Sequence, residues 1–317
     1  MATGNLTPPR ERVWRANALL LLAAAIWGFA FVAQRVGMNY VGPFTFTGVR
    51  FALGSVALLP VLIAQRRRSK ESLPWRVLLP GGLIAGIVLF AGASCQQIGI
   101  VTTTAGKAGF ITGLYVVLVP LLGLLQRQRT GVGAWIGAIL AVVGLYFLTM
   151  PADLSELRLT AMTSGDLWVL LGACFWALHV HILAWLTQRV EALPLAVLQF
   201  AVTAILSSIV ALLLETPTLP GLRGAVWAIL YGGLLSVGVA YTLQVVAQRD
   251  ARPAHAAIIL SLEAVFAVLG GVLLLGETLT LRGLAGCALM LAGMLVSQLV
   301  APAGREVDRN PNSEGNS

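Results

Sequence analysis

Charged side chains are scarce in this chain of 317 residues, of which only 11% are Asp, Glu, Lys or Arg. A soluble domain usually carries about 25% charged residues. Hydrophobic residues make up 58% of the chain, and the mean hydropathy is +0.86. This composition excludes a soluble globular protein and predicts an all-α integral membrane protein. The net charge of +8 does not indicate a nucleic-acid partner, because the charges lie between apolar runs and not on one face.

Histidine and cysteine are also rare, with three residues of each. The cysteines lie far apart within apolar stretches, which excludes a disulfide framework and a zinc-binding spacing. His179-x-His181 lacks the helical spacing of metal ligands, and no HExxH or GxSxG motif is present. Gly106-Lys107 lacks the earlier Gly and the following Ser or Thr of a phosphate-binding loop. We therefore predict no metal, no cofactor and no enzymatic activity.

Apolar runs long enough to cross a membrane recur ten times along the chain. A transmembrane helix needs about 20 mostly apolar residues. The runs lie at 16–36, 43–65, 76–98, 103–125, 131–150, 165–187, 194–214, 224–246, 253–275 and 281–300. Pro43, Pro194 and Pro253 each fall in the first turn of a run, where a helix tolerates the missing N–H. We predict ten transmembrane helices.

The two halves of the chain repeat each other, because residue i in the first half matches residue i+149 in the second. Trp27 matches Trp176 and Phe51 matches Phe200; we call such pairs repeat-equivalent. The match holds across separate apolar segments, which indicates an internal duplication. We divide the chain into an N-terminal tail (1–15), a first repeat (16–150), a linker (151–164), a second repeat (165–300) and a C-terminal tail (301–317).

The distribution of Lys and Arg in the loops predicts the orientation, since cytoplasmic loops are enriched in these residues. With the N-terminus in the cytoplasm, fifteen of them fall inside and four outside. Both termini are then cytoplasmic, and the protein lies in the inner (plasma) membrane. Each repeat has five helices, an odd number, so the second inserts upside down relative to the first. Two inverted five-helix repeats are typical of secondary transporters.

Three features resemble the EamA family of the drug/metabolite transporter superfamily, and the resemblance covers the chain from about residue 16 to 300. The first is the duplicated five-helix unit. The second is Leu262-Glu263-Ala264-Val265-Phe266 in span nine, followed by Leu275-Gly276-Glu277 and a final span with spaced glycines. The third is the segment Thr102–Tyr115 entering span four, with Pro120 beyond it. The resemblance is specific for the family and weak for the substrate.

Family membership would imply transport of amino acids, other small metabolites or toxic organic cations, without ATP hydrolysis. It also implies a central cavity lined by spans 1, 3, 4, 6, 8 and 9. In the family a Pro often follows the signature Glu of span nine. Ala264 stands there in this chain, so we expect span nine to be straighter.

Glu263 lies near the middle of span nine and is the first candidate for a functional residue. A charge at that depth costs about 2.5–3.5 kcal/mol on insertion scales, so we expect it to face a cavity or a partner. It could bind substrate or a proton. The alternative is a structural ion pair with Arg50 or Lys107. Its repeat equivalent is Leu114, so the two halves differ here.

Lys107 and Arg50 are the basic residues within the predicted spans. Lys107 lies near the outer end of span four, where it either contacts an anionic group of the substrate or extends to the lipid headgroups. Arg50 lies deeper, in span two, and its repeat equivalent is Gln199. Polar groups at the same place in both halves favour hydrogen bonding between helices. We interpret Arg50 and Gln199 as structural polar residues within the membrane.

The repeat-equivalent pair Trp27 and Trp176 could wall a binding site, with aromatic faces available to cations. The alternative is that both tryptophans lie in the core or at the membrane interface. His179 shares a helical face with Trp176 and joins the candidate cavity. Other polar groups within apolar runs should also point inward, because burial in lipid would be costly. The candidates among these are Gln34, Gln96 (or its neighbour Gln97), Tyr115 and Tyr241.

These observations favour a secondary active transporter of a small polar metabolite, most simply an amino acid exported by alternating access. An amino acid could satisfy both Glu263 and Lys107. Protons are a candidate coupling ion, and the oligomeric state is open between monomer and dimer. An organic-cation or drug exporter is one alternative, since it would need only Glu263 and the tryptophans. A flippase for lipids or polyprenol carriers is another, and would need a lateral opening to the membrane lipid.

Overall fold

The computed structural model describes residues 10–69, 72–102, 105–125, 131–149, 164–275 and 281–300. Every regular element in these ranges is a helix. The α-helices are α1 (Arg10–Gly37), α2 (Pro43–Arg68), α3 (Trp75–Thr102), α4 (Ala105–Gly113), α5 (Tyr115–Leu125), α6 (Val132–Thr149), α7 (Ser164–Leu186), α8 (Ala192–Leu214), α9 (Leu219–Gly224), α10 (Val226–Leu230), α11 (Thr242–Ala247), α12 (Pro253–Leu260), α13 (Glu263–Leu275) and α14 (Leu281–Leu299). A π-helical segment, Tyr231–Tyr241, joins α10 to α11.

Within the described residues, seven helices are long and apolar enough to cross a membrane. Three further apolar helices are shorter: Ile111–Leu124, Val132–Phe147 and Leu281–Ser297. The all-helical, membrane-spanning class expected from the composition is therefore confirmed. Most of the N-terminal tail, nearly all of the linker and the C-terminal tail lie outside the described residues, so those boundaries remain predictions.

Helices α2 and α8 pack antiparallel at the centre of the largest hydrophobic cluster. The buried rings of Phe51 and Phe200 lie 5.9 Å apart where the helices meet. Nearby, the Ser55 hydroxyl donates a hydrogen bond to the Val197 carbonyl across the interface, at 3.2 Å. The repeat-equivalent helices therefore contact each other through repeat-equivalent phenylalanines.

Polar side chains join the same two helices at both ends. At one end the Glu215 carboxylate, just beyond α8, accepts hydrogen bonds from the backbone N–H groups of Phe44 and Thr45, each at 2.8 Å. These are orphan donors in the first turn of α2, and no side chain of α2 caps them. At the other end Arg66 pairs with Glu191 at 3.0 Å, before α8 begins. Helices α2 and α8 are therefore joined by polar contacts at both ends.

Helices α6 and α14 pack closely through glycines and also run antiparallel. A Cβ added at Gly137 would lie 2.7 Å from the Gly293 carbonyl oxygen. At the other end of the contact, a Cβ at Gly144 would lie 2.6 Å from the Gly286 carbonyl oxygen. Because real Cβ atoms do not approach oxygen so closely, only glycine permits this backbone distance.

Span nine is interrupted just before Glu263, although Ala264 stands where the family often has a Pro. Helix α12 ends at Leu260, a turn holds Ser261 and Leu262, and α13 begins at Glu263. The Ser261 hydroxyl donates to the Ile258 carbonyl at 2.8 Å, and the Leu262 N–H donates to the Ile259 carbonyl at 3.1 Å. Bonds of this i to i−3 type tighten a helix locally, and the Ser261 side chain forms one of them at the break.

Span four carries a break at the equivalent place. Helix α4 ends at Gly113 and α5 begins at Tyr115. The Leu114 N–H donates to the Ile111 carbonyl at 3.2 Å, and the Val117 N–H donates to the Leu114 carbonyl at 3.0 Å. Leu114 is the repeat equivalent of Glu263, the first residue after the break in span nine, so the two halves have discontinuous helices at closely corresponding positions. Paired helix breaks of this kind mark the binding site in many transporters.

Span eight departs from a regular α-helix through the π-helical segment. Its wider turns lie against α1, where the Trp27 indole N–H donates to the Ser236 carbonyl at 3.1 Å. The Tyr231 hydroxyl donates to the Ile26 carbonyl at 2.9 Å. The segment is rich in glycine, which lets its backbone lie close to α2. A π-helical turn commonly marks a functional site, and this one borders the central cavity.

Candidate functional site

A cavity lies among the helices at the level of the two breaks. Together with the open space at its mouth it takes up about 530 Å³. Its walls come from both halves of the chain. The lining residues are Trp27, Phe31, Gln34, Arg50, Gln96, Thr112, Tyr115, Trp176, Val180, Ser236, Tyr241, Gln244, Leu260 and Glu263. The six spans implied by the family resemblance all contribute, and α2 adds Arg50.

Tyr241 is the centre of the aromatic wall. Its ring lies 4.5 Å from that of Trp27 and 6.0 Å from that of Trp176, the latter in a stacked arrangement. It also lies 5.7 Å from Phe51 and 5.9 Å from Phe200. Tyr241 therefore contacts both members of two repeat-equivalent pairs. The two tryptophans that the sequence singled out therefore both lie beside one phenol ring.

The repeat equivalent of Tyr241 is Gly92, which has no side chain to compete for the same space. A Cβ added at Gly92 would lie 3.4 Å from both the Phe175 Cβ and the Trp176 ring, which is ordinary contact. A larger side chain there would meet the Trp176 ring. Of these two repeat-equivalent positions, therefore, only the one in the second half carries a ring.

A short hydrogen-bonded chain orients the polar side of the wall. The Trp176 indole N–H donates to Gln96 Oε1 at 2.8 Å, and Gln96 Nε2 donates to Gln34 Oε1 at 3.3 Å. Gln34 and Gln96 are both buried. The chain links α7, α3 and α1 and holds the indole of Trp176 against Tyr241. Gln97, the alternative to Gln96 in the sequence, is fully buried and does not line the cavity.

The cavity contains two charged side chains of opposite sign. Arg50 is 3% exposed and Glu263 is 6% exposed. Within the part of the chain that the structure describes, neither forms an ion pair. The guanidinium of Arg50 lies over the rings of Phe46 and Phe51, at 5.4 and 5.1 Å from their centroids. Glu263 is thus not paired with Arg50, one of its two suggested partners.

Three residues singled out from the sequence are not seen in the wall. His179 lies behind Trp176, with its ring edge-on at 6.2 Å, and its Nε2 shares a hydrogen bond of 2.9 Å with Gln199 Oε1. Gln199 is fully buried and belongs to this pair, while Arg50 lines the cavity. Helix α4 contains Lys107, but the side chain of Lys107 lies outside the described residues.

Several lining residues carried little or no signal in the sequence. Phe31, Val180 and Leu260 are ordinary members of apolar runs, and only the fold directs them to the cavity. Phe31 had one clue, since helical spacing places it on the face of Trp27. Thr112 and Ser236 are small and polar and occur often in membrane helices. Their position beside the helix break and in the π-helical segment could not be read from residue type.

Comparison with known protein families decides the class of this chain. The model of the EamA-like transporter family matches it twice, over residues 14–150 and 163–298. The chain belongs to the EamA-like transporter family. It is therefore a multi-pass membrane protein of a transporter class. The two matched stretches coincide closely with the halves related by the 149-residue offset.

Full-length relatives of this EamA-like transporter occur in archaea and bacteria. A protein of Archaeoglobus fulgidus named as an uncharacterized transporter is 30% identical over 285 residues, covering 90% of this chain and 86% of the relative. The Escherichia coli protein YedA, named as an uncharacterized inner membrane transporter, is 27% identical over 265 residues, covering 80% of this chain and 81% of the relative. The threonine/homoserine exporter RhtA of Salmonella typhimurium is 29% identical over 299 residues, covering 89% and 91%.

A protein of known crystal structure shares the fold. It aligns with a TM-score of 0.73 at 20% sequence identity, covering 90% of this chain and 97% of the other. The helical arrangement described above is therefore that of a solved protein over nearly its whole length.

Proposed function

We propose that this EamA-like transporter is a ten-span secondary active transporter that exports a small polar metabolite, most simply an amino acid, by alternating access. The observation that carries the proposal is the central cavity, which is walled by both halves and holds the buried Glu263. Both termini lie in the cytoplasm, and the membrane is the inner (plasma) membrane. Protons are a candidate coupling ion.

The antiparallel packing of repeat-equivalent helices supports inverted repeats. Helices α2 and α8 are repeat-equivalent. The start of α2 meets the end of α8, and the end of α2 meets the start of α8. Helices α6 and α14 are also repeat-equivalent and cross in the same antiparallel sense. Repeats related by an axis along the membrane normal would make such pairs parallel. An axis in the membrane plane makes them antiparallel, as required for exchange of conformations between the halves.

The lengths of the shorter helices support ten spans. Helix α6 has 18 residues and α14 has 19. At about 1.5 Å per residue these helices extend about 27 and 28 Å, close to the hydrocarbon thickness of about 30 Å. Helices α4 and α5 are separated only by Leu114 and together form one broken span.

An amino acid fits the composition of the cavity. Glu263 can bind an ammonium group, and the polar chain through Gln34 and Gln96 can bind further polar groups. The name of the relative RhtA, a threonine/homoserine exporter, points to the same substrate class. An organic cation is the second candidate, because Trp27, Trp176 and Tyr241 present aromatic faces beside Glu263. The buried cation Arg50 disfavours that candidate by charge repulsion.

A ligand screen tests this proposal. The purified protein in detergent is heated with amino acids, small carboxylates and quaternary amines at two pH values. A ligand that binds the folded state raises the melting temperature, and at 100 times its dissociation constant the gain is about 2.7 kcal/mol. We expect at least one amino acid to raise it in the wild type and not in Glu263→Gln. Glu191→Gln is the matched control, since Glu191 pairs with Arg66 away from the cavity.

Each of the other outcomes has a distinct meaning. Stabilisation by quaternary amines alone would replace the amino-acid proposal by the organic-cation exporter. If no compound stabilises the wild type and Glu263→Gln merely melts lower, Glu263 is structural. Lipid-like substrates are then the next class to test.

A further inference from the structure

We propose that Arg50 binds the carboxylate of the substrate, while Glu263 faces its ammonium group, so that the cavity selects small zwitterions. This inference rests on the proposed transport function and names the residue that recognises one end of the substrate. It also replaces Lys107 in that role and revises the structural interpretation of Arg50 drawn from the sequence.

The inference rests on the burial of Arg50 and on its hydrogen-bond donors that have no partner among the described residues. Its side chain is 3% exposed, lies in the cavity wall, and makes no hydrogen bond or ion pair within the described residues. Its Nε atom is completely buried without a partner. Its guanidinium lies over the rings of Phe46 and Phe51. An unpaired guanidinium at this depth in a membrane is costly, and such residues usually serve a ligand or an ion pathway.

The local backbone makes room for the guanidinium at the cavity. A Cβ added at Gly232, in the π-helical segment, would lie 3.3 Å from the Arg50 Cδ atom. The side chain therefore runs alongside a glycine on its way to the cavity. The repeat-equivalent residue, Gln199, is instead bonded to His179 and does not line the cavity. A purely structural role would have given Arg50 a comparable fixed partner.

Opposite charges across one cavity specify the charge pattern of the ligand. Arg50 and Glu263 line the same space without an ion pair between them. The ring of Tyr241 lines the same space. A cationic ligand would leave Arg50 buried and unpaired. An anionic ligand would leave Glu263 buried and unpaired. A zwitterion satisfies both, and the planar fork of an arginine matches a carboxylate with two parallel hydrogen bonds.

The test compares a substrate with its own blocked derivatives. The probe is whichever standard L-amino acid raises the melting temperature of the full-length wild type most. Calorimetric titration then measures its binding, that of its methyl ester, which lacks the carboxylate, and that of its N-acetyl derivative, which lacks the ammonium. The variants are Arg50→Gln, which carries the amide found at position 199, and Arg50→Lys. Arg35→Gln is the control, since Arg35 is an exposed cation outside the cavity.

We expect the wild type to bind the free amino acid about ten-fold or more tightly than the ester, as one charge-assisted hydrogen bond allows. In Arg50→Gln this preference should disappear, because binding of the acid weakens about ten-fold while binding of the ester changes less than about two-fold. Arg50→Lys should keep part of the preference, and Arg35→Gln all of it. Binding of the N-acetyl derivative should be weak in every variant with Glu263 intact.

Two results would overturn the inference while leaving the proposed function standing. One is an acid-over-ester preference that persists in Arg50→Gln. The other is equal affinity of the wild type for acid and ester, which needs no variant and so holds even if Arg50→Gln does not fold. Absence of any amino-acid binding to the wild type would instead remove the proposed substrate class and this inference together.

Discussion

At the scale of single residues, Tyr241 shows how a duplicated chain builds one centre. The rings of Trp27, Trp176, Phe51 and Phe200 have their centroids 4.5–6.0 Å from that of Tyr241. The repeat-equivalent position holds Gly92, which has no ring, so this ring comes from one half of the chain only. Its contacts nevertheless make it a packing element of both halves at once.

Shortening this side chain should be costly, and removing only its hydroxyl should not. Tyr241→Ala should lower the free energy of unfolding by about 3–5 kcal/mol, because a large buried ring is lost and its neighbours relax only in part. Tyr241→Phe keeps the volume and should cost less than about 1.5 kcal/mol. Melting of the purified variants in detergent checks both values. Equal losses in the two variants would contradict the packing role and assign the effect to the hydroxyl.

At the scale of elements, α2 depends on the other half of the chain for its first turn. Its N-cap residue is Gly42, which has no side chain to accept the orphan N–H groups. The Glu215 carboxylate supplies the missing acceptor from beyond the end of α8. A negative charge at this place also interacts favourably with the helix dipole. One carboxylate thus joins the two halves where α2 begins.

Loss of this cap should destabilise the protein more than loss of the ion pair at the opposite end. Glu215→Ala should cost about 1–2 kcal/mol, the usual value of an N-terminal cap. Glu191→Ala removes a partly exposed pair with Arg66 and should cost less than about 1 kcal/mol. The melting temperatures of the two variants, measured side by side, check this order. A larger effect of Glu191→Ala would show that the exposed pair is the stronger connection.

At the scale of the whole molecule, inverted repeats place equivalent loops on opposite sides of the membrane. Asn39 follows α1 and its repeat equivalent Gln188 follows α7. Alkaline phosphatase is active only outside the cytoplasm. Green fluorescent protein fluoresces in the cytoplasm but not after export through the general secretion pathway. We expect phosphatase activity from a fusion at Asn39 and fluorescence from a fusion at Gln188. The same reporter active at both positions would indicate parallel repeats and contradict alternating access by exchange of halves.

Much of the helical framework could be predicted because its signals are local. The second span was expected at 43–65 and α2 covers Pro43–Arg68, since a proline in the first turn and a basic run at the end mark its limits. Trp27, Trp176 and Glu263 were recognised from repetition or from an unusual charge within an apolar run. All three lie in the cavity wall. Helix limits and unusual residues of this kind can be recognised along the chain, because they depend on whether a segment lies in lipid and not on which helices pack beside it.

The partners of polar residues could not be predicted in the same way. Arg50 and Gln199 occupy equivalent positions before equivalent phenylalanines, yet one lines the cavity and the other binds His179. The broken span nine was missed because Ser261 can either stay within a helix or bond back to the preceding turn. The π-helical segment was missed because its apolar sequence suits a regular α-helix equally well.

By itself, the sequence determined the membrane environment, the duplication, the approximate limits of the helices and the family. These follow from composition, periodicity and repetition, which act along the chain. Only the tertiary structure decided which side chains meet around Tyr241, where the helices break, and which buried charge faces the cavity. Those outcomes depend on contacts between residues far apart in the chain, and repeat-equivalent residues diverge there because the two halves fill one shared space.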